Sequence, residues 1–306
     1  MVAEVAAETD LVGTDLVGTV FSVRTFSSGH QGGNLHDVYL CQPGLLKDAG
    51  PIKWFLRHTK RVSVFLFLEP GFQNFCRDCS SQQVRFYQHG VEILRCGSGV
   101  LAAAKVLIYL AAQKGRAQQP ETSFQLSTRV ECLTVLARGD LLGYRARALS
   151  QQPLKSVAVW QYLLRARVCD GAFVGGQRDY LIAELLTPEA VQRVVPHLEA
   201  LCLFTQRALI VTARGTLGKP QTDSFLKSGA KLGAYVMRYF APQYGNNEDQ
   251  ATGSANVQLM RYWHRRHLGA ELACKQLSRE GGEFIGYIVG ASGVELFGQA
   301  YIEAPP

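Results

Sequence analysis

Two short segments of the chain carry residue types that could move a proton on a small anion. The first is Arg95-Cys96-Gly97-Ser98-Gly99, where an alternating apolar pattern gives way to a long apolar run. A helix starting there presents unpaired N–H groups and about half a positive charge, which attract carboxylates and favour a thiolate. Cys96 is thus a candidate thiolate or ligand contact, and Gly97, Ser98 and Gly99 supply candidate anion-binding N–H groups; packing in a tight strand-to-helix turn would also account for a small residue at 96. The second segment runs from Tyr239 to Asn256 and reads as a strand, a Gly/Asn turn, two acids (Glu248 and Asp249) and a small-residue helix start at Thr252-Gly253-Ser254. One carboxylate then lies beside a second anion-binding terminus, where it can act as an acid or base. Capping is the alternative use of such acids.

Positioning these segments requires strands that end at them. β patterns fall at Val20–Phe26, His36–Cys41, Val62–Leu68, Val84–Tyr87 and Val91–Leu94, punctuated by Gly, Pro, Asn and Asp. From Gly97 the period changes to a helix that is apolar nearly all round, with Ser98 as a possible N-cap and Lys114-Gly115 as its end. Strands follow at Ser123–Leu126, Leu133–Ala137 and Tyr144–Ala148, and Gln151-Gln152-Pro153 reads as a junction.

The order then repeats. Strands are expected near Ala172–Val174, Tyr180–Ala183, Leu209–Thr212 and Ala234–Phe240, with an intervening helix opened by Thr187-Pro188-Glu189. A second Gly-Ser-opened helix runs from about Thr252 through Trp263 to Gly269, and strands at Phe284–Val289 and Val294–Phe297 close the chain. Each half holds one glycine-initiated helix among strands, which suggests a duplicated fold.

Composition sets the frame. With 306 residues and 47% hydrophobic content the chain can bury two cores. The expected class is α/β or α+β, divided into a flexible lead-in (1–19, with the tandem Asp10–Thr14 and Asp15–Thr19), a first domain (20–150) and a second (151–306), whose last strand could return to the first. The net charge of +7 is spread out, and no nucleic-acid motif accompanies the basic runs Arg57–Arg61 and Arg261–His267. The second of these reads as a helix end with an aromatic anchor and solvated charges. The acidic start lacks a secretory pattern, so a cytoplasmic chain with no membrane or nucleic-acid partner is expected. Val100–Ala112 is too short to span a bilayer and reads as a buried helix. The eight cysteines are expected to be reduced. Cys76-x-x-Cys79, with His89 and Cys96, could be drawn as a zinc site, but without a second close pair the two are read as loop thiols and no metal is expected.

Several motifs together resemble one family. Phe240-Ala241-Pro242, Glu248-Asp249, Ala251-Thr252-Gly253-Ser254-Ala255 and Tyr262-Trp263 are similar to the F-A-P, E-D-P-A-T-G-S-A and P-Y-W signature of the PhzF-like (phenazine biosynthesis) proteins, within the diaminopimelate epimerase and proline racemase superfamily. Gly33-Asn34 resembles its early G-N, Arg85-Phe86-Tyr87 its R-Y-F strand, Glu92 and Cys96-Gly97 its E and C-G-H-A-T, and Gln276 to Gly282 its Q-x-S-x-R-G-G. The resemblance implies two similar domains, each with a sheet wrapped around a central helix, and a ligand between them. It also implies proton movement on a carbon next to a carboxylate or imine, with no cofactor, and a homodimer.

Against that pattern the chain departs at its chemistry. The family's glutamate in S-E-T-x-F is matched here by Arg61-Val62-Ser63-Val64-Phe65, which supplies Val62 or Ser63. Ser98 replaces the histidine of C-G-H-A-T, Gln88-His89 replace a T-P, and Glu280 stands at the arginine of R-G-G. Cys96 matches one catalytic cysteine of the cysteine-pair epimerases, whose other position is Gln250 here. The resulting expectation is a cofactor-independent isomerase or epimerase of secondary metabolism, acting on a small carboxylated metabolite. Asp249 and Cys96 form the acid/base pair, while Gly97, Ser98, Gly99, Thr252, Gly253, Ser254, Asn34 and His30 hold the substrate. The alternative is a binding protein that kept the cleft after losing its base.

Overall fold

The computed structural model describes residues 16–28, 31–41, 59, 61–68, 82–113, 121–215 and 233–303. These form two compact units. One contains the described residues up to 28, the stretch Asn34–Arg145 and the segment from Gly298 onward; the other contains Gln31–Gly33 and Ala146–Phe297.

In the first unit, β1 (Leu16–Ser27), β2 (Asn34–Cys41), β3 (Val62–Phe67), β4 (Gln82–Gln88), β6 (Glu121–Ser127), β7 (Cys132–Arg138) and β8 (Leu141–Arg147) lie side by side in that order, and the short β5 (Val91–Ile93) pairs with β4. The helix α1 (Gly97–Gln113) packs against β1 to β4 and β7. Val100, Leu101, Ala102, Ala103, Ala104, Val106 and Leu107 are all fully buried. Sheet encloses most of this helix and only positions near its end, such as Tyr109, are exposed, which is why its sequence is apolar nearly all round.

The second unit orders its strands as β16 (Gly293–Ile302), β15 (Gly282–Val289), β14 (Glu271–Gln276), β13 (Gly233–Phe240), β12 (Ala208–Arg214), β11 (Tyr180–Leu185), β10 (Val168–Val174) and β9 (Gln151–Pro153). Its helices are α2 (Ala158–Leu164), α3 (Pro188–Arg193), α4 (Leu198–Phe204) and α5 (Gly253–His264). Thr187 caps α3 as its sequence suggests, accepting the Ala190 N–H at 3.2 Å. α5 packs on β15, where Gly286 makes room, since a Cβ there would stand 2.7 Å from Met260. Tyr235 on β13 stacks on Trp263 of α5 and donates to Asn256 Oδ1 at 2.9 Å, while Trp263 Nε1 donates to Thr212 on β12 at 3.1 Å. These buried bonds hold α5 in place, because leaving either partner unpaired would cost about 1–3 kcal/mol.

Several expectations need correction. Gln151-Gln152-Pro153 is a short strand paired with β10, where Pro153 sits at the sheet edge that a missing N–H permits. β1 begins at Leu16, opposite Cys41, so part of the expected lead-in is strand. α5 ends at His264 and not near Gly269, because Leu268 N–H turns back to the Trp263 carbonyl. At its basic end Tyr262 and Trp263 are buried and Arg265 and His267 exposed, as expected, but Arg266 is tied down: it pairs with Asp170 and Glu184 and lies 3.6 Å over the Tyr262 ring. β16 continues to Ile302. Its residues up to Phe297 pair with β15, while Gln299 to Ile302 pair with β1 of the first unit.

Candidate active site

At the first helix start the cap is Cys96 itself and not Ser98. The Cys96 carbonyl accepts the Val100 N–H at 3.0 Å, and its Sγ accepts the Gly99 N–H at 3.4 Å and lies 3.4 Å from Ser98 Oγ. Gly99 therefore spends its N–H on the thiol, which leaves Gly97 and Ser98 as the N–H groups that precede the first helical turn. The glycines are required by crowding. A Cβ on Gly97 would meet Tyr144 Oη at 2.4 Å, and one on Gly99 would meet the Phe86 ring at 2.7 Å and Cys96 Sγ at 3.1 Å. Ser98 is buried and Cys96 half-buried.

The second helix start is more tightly organised. Asp249 follows β13 and a turn at Pro242–Tyr244, and its N–H donates to the Tyr239 carbonyl at 3.1 Å. One carboxylate oxygen accepts from Thr252 Oγ1 at 2.6 Å, the other from Asn246 Nδ2 at 3.4 Å. The residue keeps some contact with solvent. Protein nonetheless crowds the carboxyl so densely that burial outweighs the hydrogen bonds from Thr252, the Gln250 backbone and Asn246, and raises its pKa above the usual carboxylate range. A carboxyl shifted this way is suited to giving as well as taking a proton.

Gln276, at the end of β14 and fully buried, is the residue that sequence reasoning left unassigned. Its Oε1 accepts the Thr252 N–H at 2.7 Å, and its Nε2 donates to the Asp249 carbonyl at 2.7 Å and reaches Thr252 Oγ1 at 3.3 Å. Thr252 is thereby withdrawn from the set of anion-binding N–H groups and becomes the hydroxyl that steadies Asp249; Gly253 and Ser254 remain to open α5. The available signal was its place at the head of the Gln276 to Gly282 motif. The rest of that motif is structural: Ser278 Oγ donates to the Gln250 carbonyl at 2.5 Å, and the Gly281 carbonyl accepts the Gly33 N–H at 2.7 Å. Gly32, with φ of +70°, lies so close that a Cβ would be 2.4 Å from the Glu280 carbonyl. Glu280 thus contributes its backbone at this contact.

Asn34 opens β2 opposite Thr25, in the same unit as Cys96. His30, Cys76 and Cys79 lie outside the described residues; His89 occupies the β4–β5 turn with φ of +50°. Among the described residues no group of three or more His, Cys, Asp or Glu is placed to hold a metal, and no helix is long and apolar enough to cross a membrane.

The register also separates Val62 from Ser63. Val64 pairs with Val38 on one side and with Phe86 on the other, and Phe86 touches Gly99; Val62 shares this face, two residues along, while Ser63 points to the opposite one. Val62 therefore stands on the face that carries α1, with no ionisable atom.

The chain matches the family model described as phenazine biosynthesis-like protein over residues 63–283. It is 30% identical over 207 residues to an uncharacterized isomerase of Pseudomonas aeruginosa, covering 68% of this chain and 70% of that protein. A PhzF-family phenazine biosynthesis protein from Enterococcus faecalis shares the fold with a TM-score of 0.74 at 20% identity, over 93% of this chain and 96% of that one. A hydroxyproline epimerase from Agrobacterium vitis, solved with trans-4-hydroxy-L-proline, shares it more distantly, with a TM-score of 0.53 at 13% identity over 93% and 90% of the two chains. The motifs at Asp249, at Gln276 and at Cys96 thus sit in a fold of the matching kind, and the chain belongs to the phenazine biosynthesis-like family.

Proposed function

We propose that the protein is a proton-transferring isomerase that acts without a cofactor on a small carboxylated metabolite, one that is cyclic or derived from an amino acid. The observation that carries this reading is Asp249: a carboxyl with a raised pKa, oriented by Thr252 and Asn246, and braced through Gln276 at the start of α5. A carboxyl group held in this way can protonate a carbanionic carbon and later remove the proton again, and the Gly253 and Ser254 N–H groups bind the carboxylate beside it. Positive potential at the helix start also stabilises the negative charge that develops when a C–H bond next to a carboxylate breaks. Within the first unit, the Gly97 and Ser98 N–H groups open α1 in the same manner, and Cys96 beside them is that unit's own candidate acid/base group.

The test is solvent exchange. The protein is incubated in D2O with the standard L-amino acids, trans-4-hydroxy-L-proline and simple ring carboxylic acids, and substrate C–H signals are followed by NMR. Deuterium should enter at a carbon next to the carboxylate or conjugated with it, and Asp249→Asn should abolish the incorporation. Tight binding by thermal shift with no exchange for any of these compounds would show a binding protein and overturn the reading.

A further inference from the structure

Arg238 is a charged residue in an apolar row. On β13 it stands between Val236 and Phe240, which belong with Val191 and Val194 to the core of the second unit. Residues two apart on a strand share a face, so Arg238 points to the side of β13 that packs against α3, away from Tyr235 and α5. Its side chain is only 14% exposed, and its guanidinium lies 4.8 Å over the Phe240 ring. One nitrogen, Nη1, donates to three carbonyls at the end of α3: Val191 at 3.3 Å, Gln192 at 3.1 Å and Val194 at 2.7 Å. The last carbonyls of a helix have no partner within it, and these bonds satisfy them. The other two nitrogens, Nε and Nη2, form a fork onto Glu248, reaching Oε1 at 2.7 Å and Oε2 at 2.9 Å.

That fork grips the residue before Asp249. The chain leaves β13, turns through Pro242–Tyr244 and comes back alongside itself. Ala241 and Asn246 exchange two backbone bonds, at 3.0 and 3.2 Å, and the Asp249 N–H reaches the Tyr239 carbonyl at 3.1 Å. Glu248 lies between these two ties. Its carboxylate fixes the returning segment from the α3 side, while Asn246 and Thr252 hold the oxygens of Asp249. The two neighbouring carboxylates are thus used differently. Glu248 is spent on a charge-assisted bidentate pair, which sets a plane as well as a distance, whereas Asp249 accepts from neutral donors.

We infer that Arg238 and Glu248 are positioning residues for Asp249: the fork between them sets the returning segment against α3, and so sets where the Asp249 carboxyl stands at the opening of α5. The inference rests on the proton-transfer reading of Asp249 given above. An acid/base group works only within narrow limits, since a displacement of about 1 Å can cost about 100-fold in rate. The Asp249 N–H bond by itself leaves the segment free to pivot about it, and the fork adds a second fixed point. A lysine could balance the Glu248 charge, but it could not offer two parallel N–H groups to a carboxylate and a third nitrogen to α3.

The first measurement needs no substrate. In Glu248→Gln, which keeps the volume but loses the charge-assisted fork, amide hydrogen exchange at Asp249 should rise by about 10-fold or more, while the Asn256 amide inside α5 keeps its protection. In the D2O assay the kcat of the same variant should fall by about 10-fold or more with KM and melting temperature little changed, because neither residue touches the substrate. Arg238→Lys should lose as much, and the double variant Arg238→Lys with Glu248→Gln no more than the worse single one, since each change breaks the same fork. Unchanged amide exchange at Asp249, unchanged kcat in Glu248→Gln, or additive losses in the double variant would each overturn the inference and leave the proton-transfer reading intact. No deuterium incorporation by the unaltered protein with any compound would overturn that reading, and the inference with it. Should Glu248→Gln fail to fold, the unaltered protein is followed by NMR. The Arg238 Nε–H and the Asp249 amide should then be protected together and lose protection at the same low urea concentration, because one opening exposes both; an Nε–H that exchanges freely beside a protected amide would overturn the assignment.

Discussion

Asp249, half-buried, and His36, buried, are ionisable side chains whose pKa values desolvation moves in opposite senses, and each move has a consequence for stability. The Asp249 pKa is raised on folding, so its contribution is full below the unfolded value near 3.8 and is lost as pH rises through the folded value. Asp249→Asn should therefore leave the melting temperature at neutral pH unchanged or higher, while lowering proton exchange by about 100-fold or more, and thermal unfolding beside the D2O assay checks both. A fall in melting temperature would make Asp249 a stabilising cap instead. His36 behaves in reverse. It stays neutral in the fold until pH reaches about 4, whereas the unfolded chain takes up its proton near 6.5, with Asp37 the nearby charge and Val62 the nearby backbone acting on it. Stability should fall by about 3 kcal/mol as pH drops across that window, and His36→Ala should flatten this part of the urea-unfolding profile. Asp249 was legible in the sequence because its neighbours form a dense local motif. The burial of His36 was not, because nothing in its own neighbourhood shows that its side chain faces the core.

The two helix starts share a design at the level of elements and differ in how it is met. α1 is capped by a thiol and seated by glycines; α5 is preceded by a threonine whose N–H is taken by a glutamine from β14. Gly99→Ala would press a methyl group into Phe86 and Cys96, and should cost about 1–3 kcal/mol in chemical denaturation. Its effect on exchange should exceed its effect on stability, since the strain falls on the residue that forms the helix start. Gln276→Leu strands the buried Thr252 N–H and the Asp249 carbonyl, each a loss of about 1–3 kcal/mol unless water enters. Activity should fall further than that of a surface variant of equal stability, as seen in kcat at matched folded fraction. The strand-to-helix order of both segments was readable from period and punctuation. Their caps were not, because a cap depends on which side chain folds back and on what arrives from another strand.

The whole molecule comprises two units whose membership does not follow the sequence in simple halves. Gln31–Gly33 belong with the second unit, where Gly33 donates to Gly281, and residues from Gly298 onward belong with the first, where they extend its sheet beside β1. Deleting Gly298–Pro306 should open the edge of β1 and speed its amide hydrogen exchange, while the β14–β15 ladder in the second unit keeps its protection. Equal protection of β1 in the shortened chain would show that the returning strand contributes nothing to that unit. Gly32→Ala is a milder probe of the other exchange, because it meets both a positive φ and the Glu280 carbonyl.

By itself the sequence determined the α/β class, the two glycine-opened helices, the buried character of the first, the strand-turn-helix segment that carries Asp249, and the resemblance that the family match bears out. All of these are written in residues within one helix turn or one strand of each other, where periodicity and local motifs act. Only the tertiary structure decided that Val62 and not Ser63 faces α1, that His36 stands beside it, that Gln276 governs Thr252, and that Cys96 caps its own helix. Those facts depend on strand register and side-chain direction between residues as far apart as Thr252 and Gln276, and a shift of one residue in a ladder would have reversed every facing.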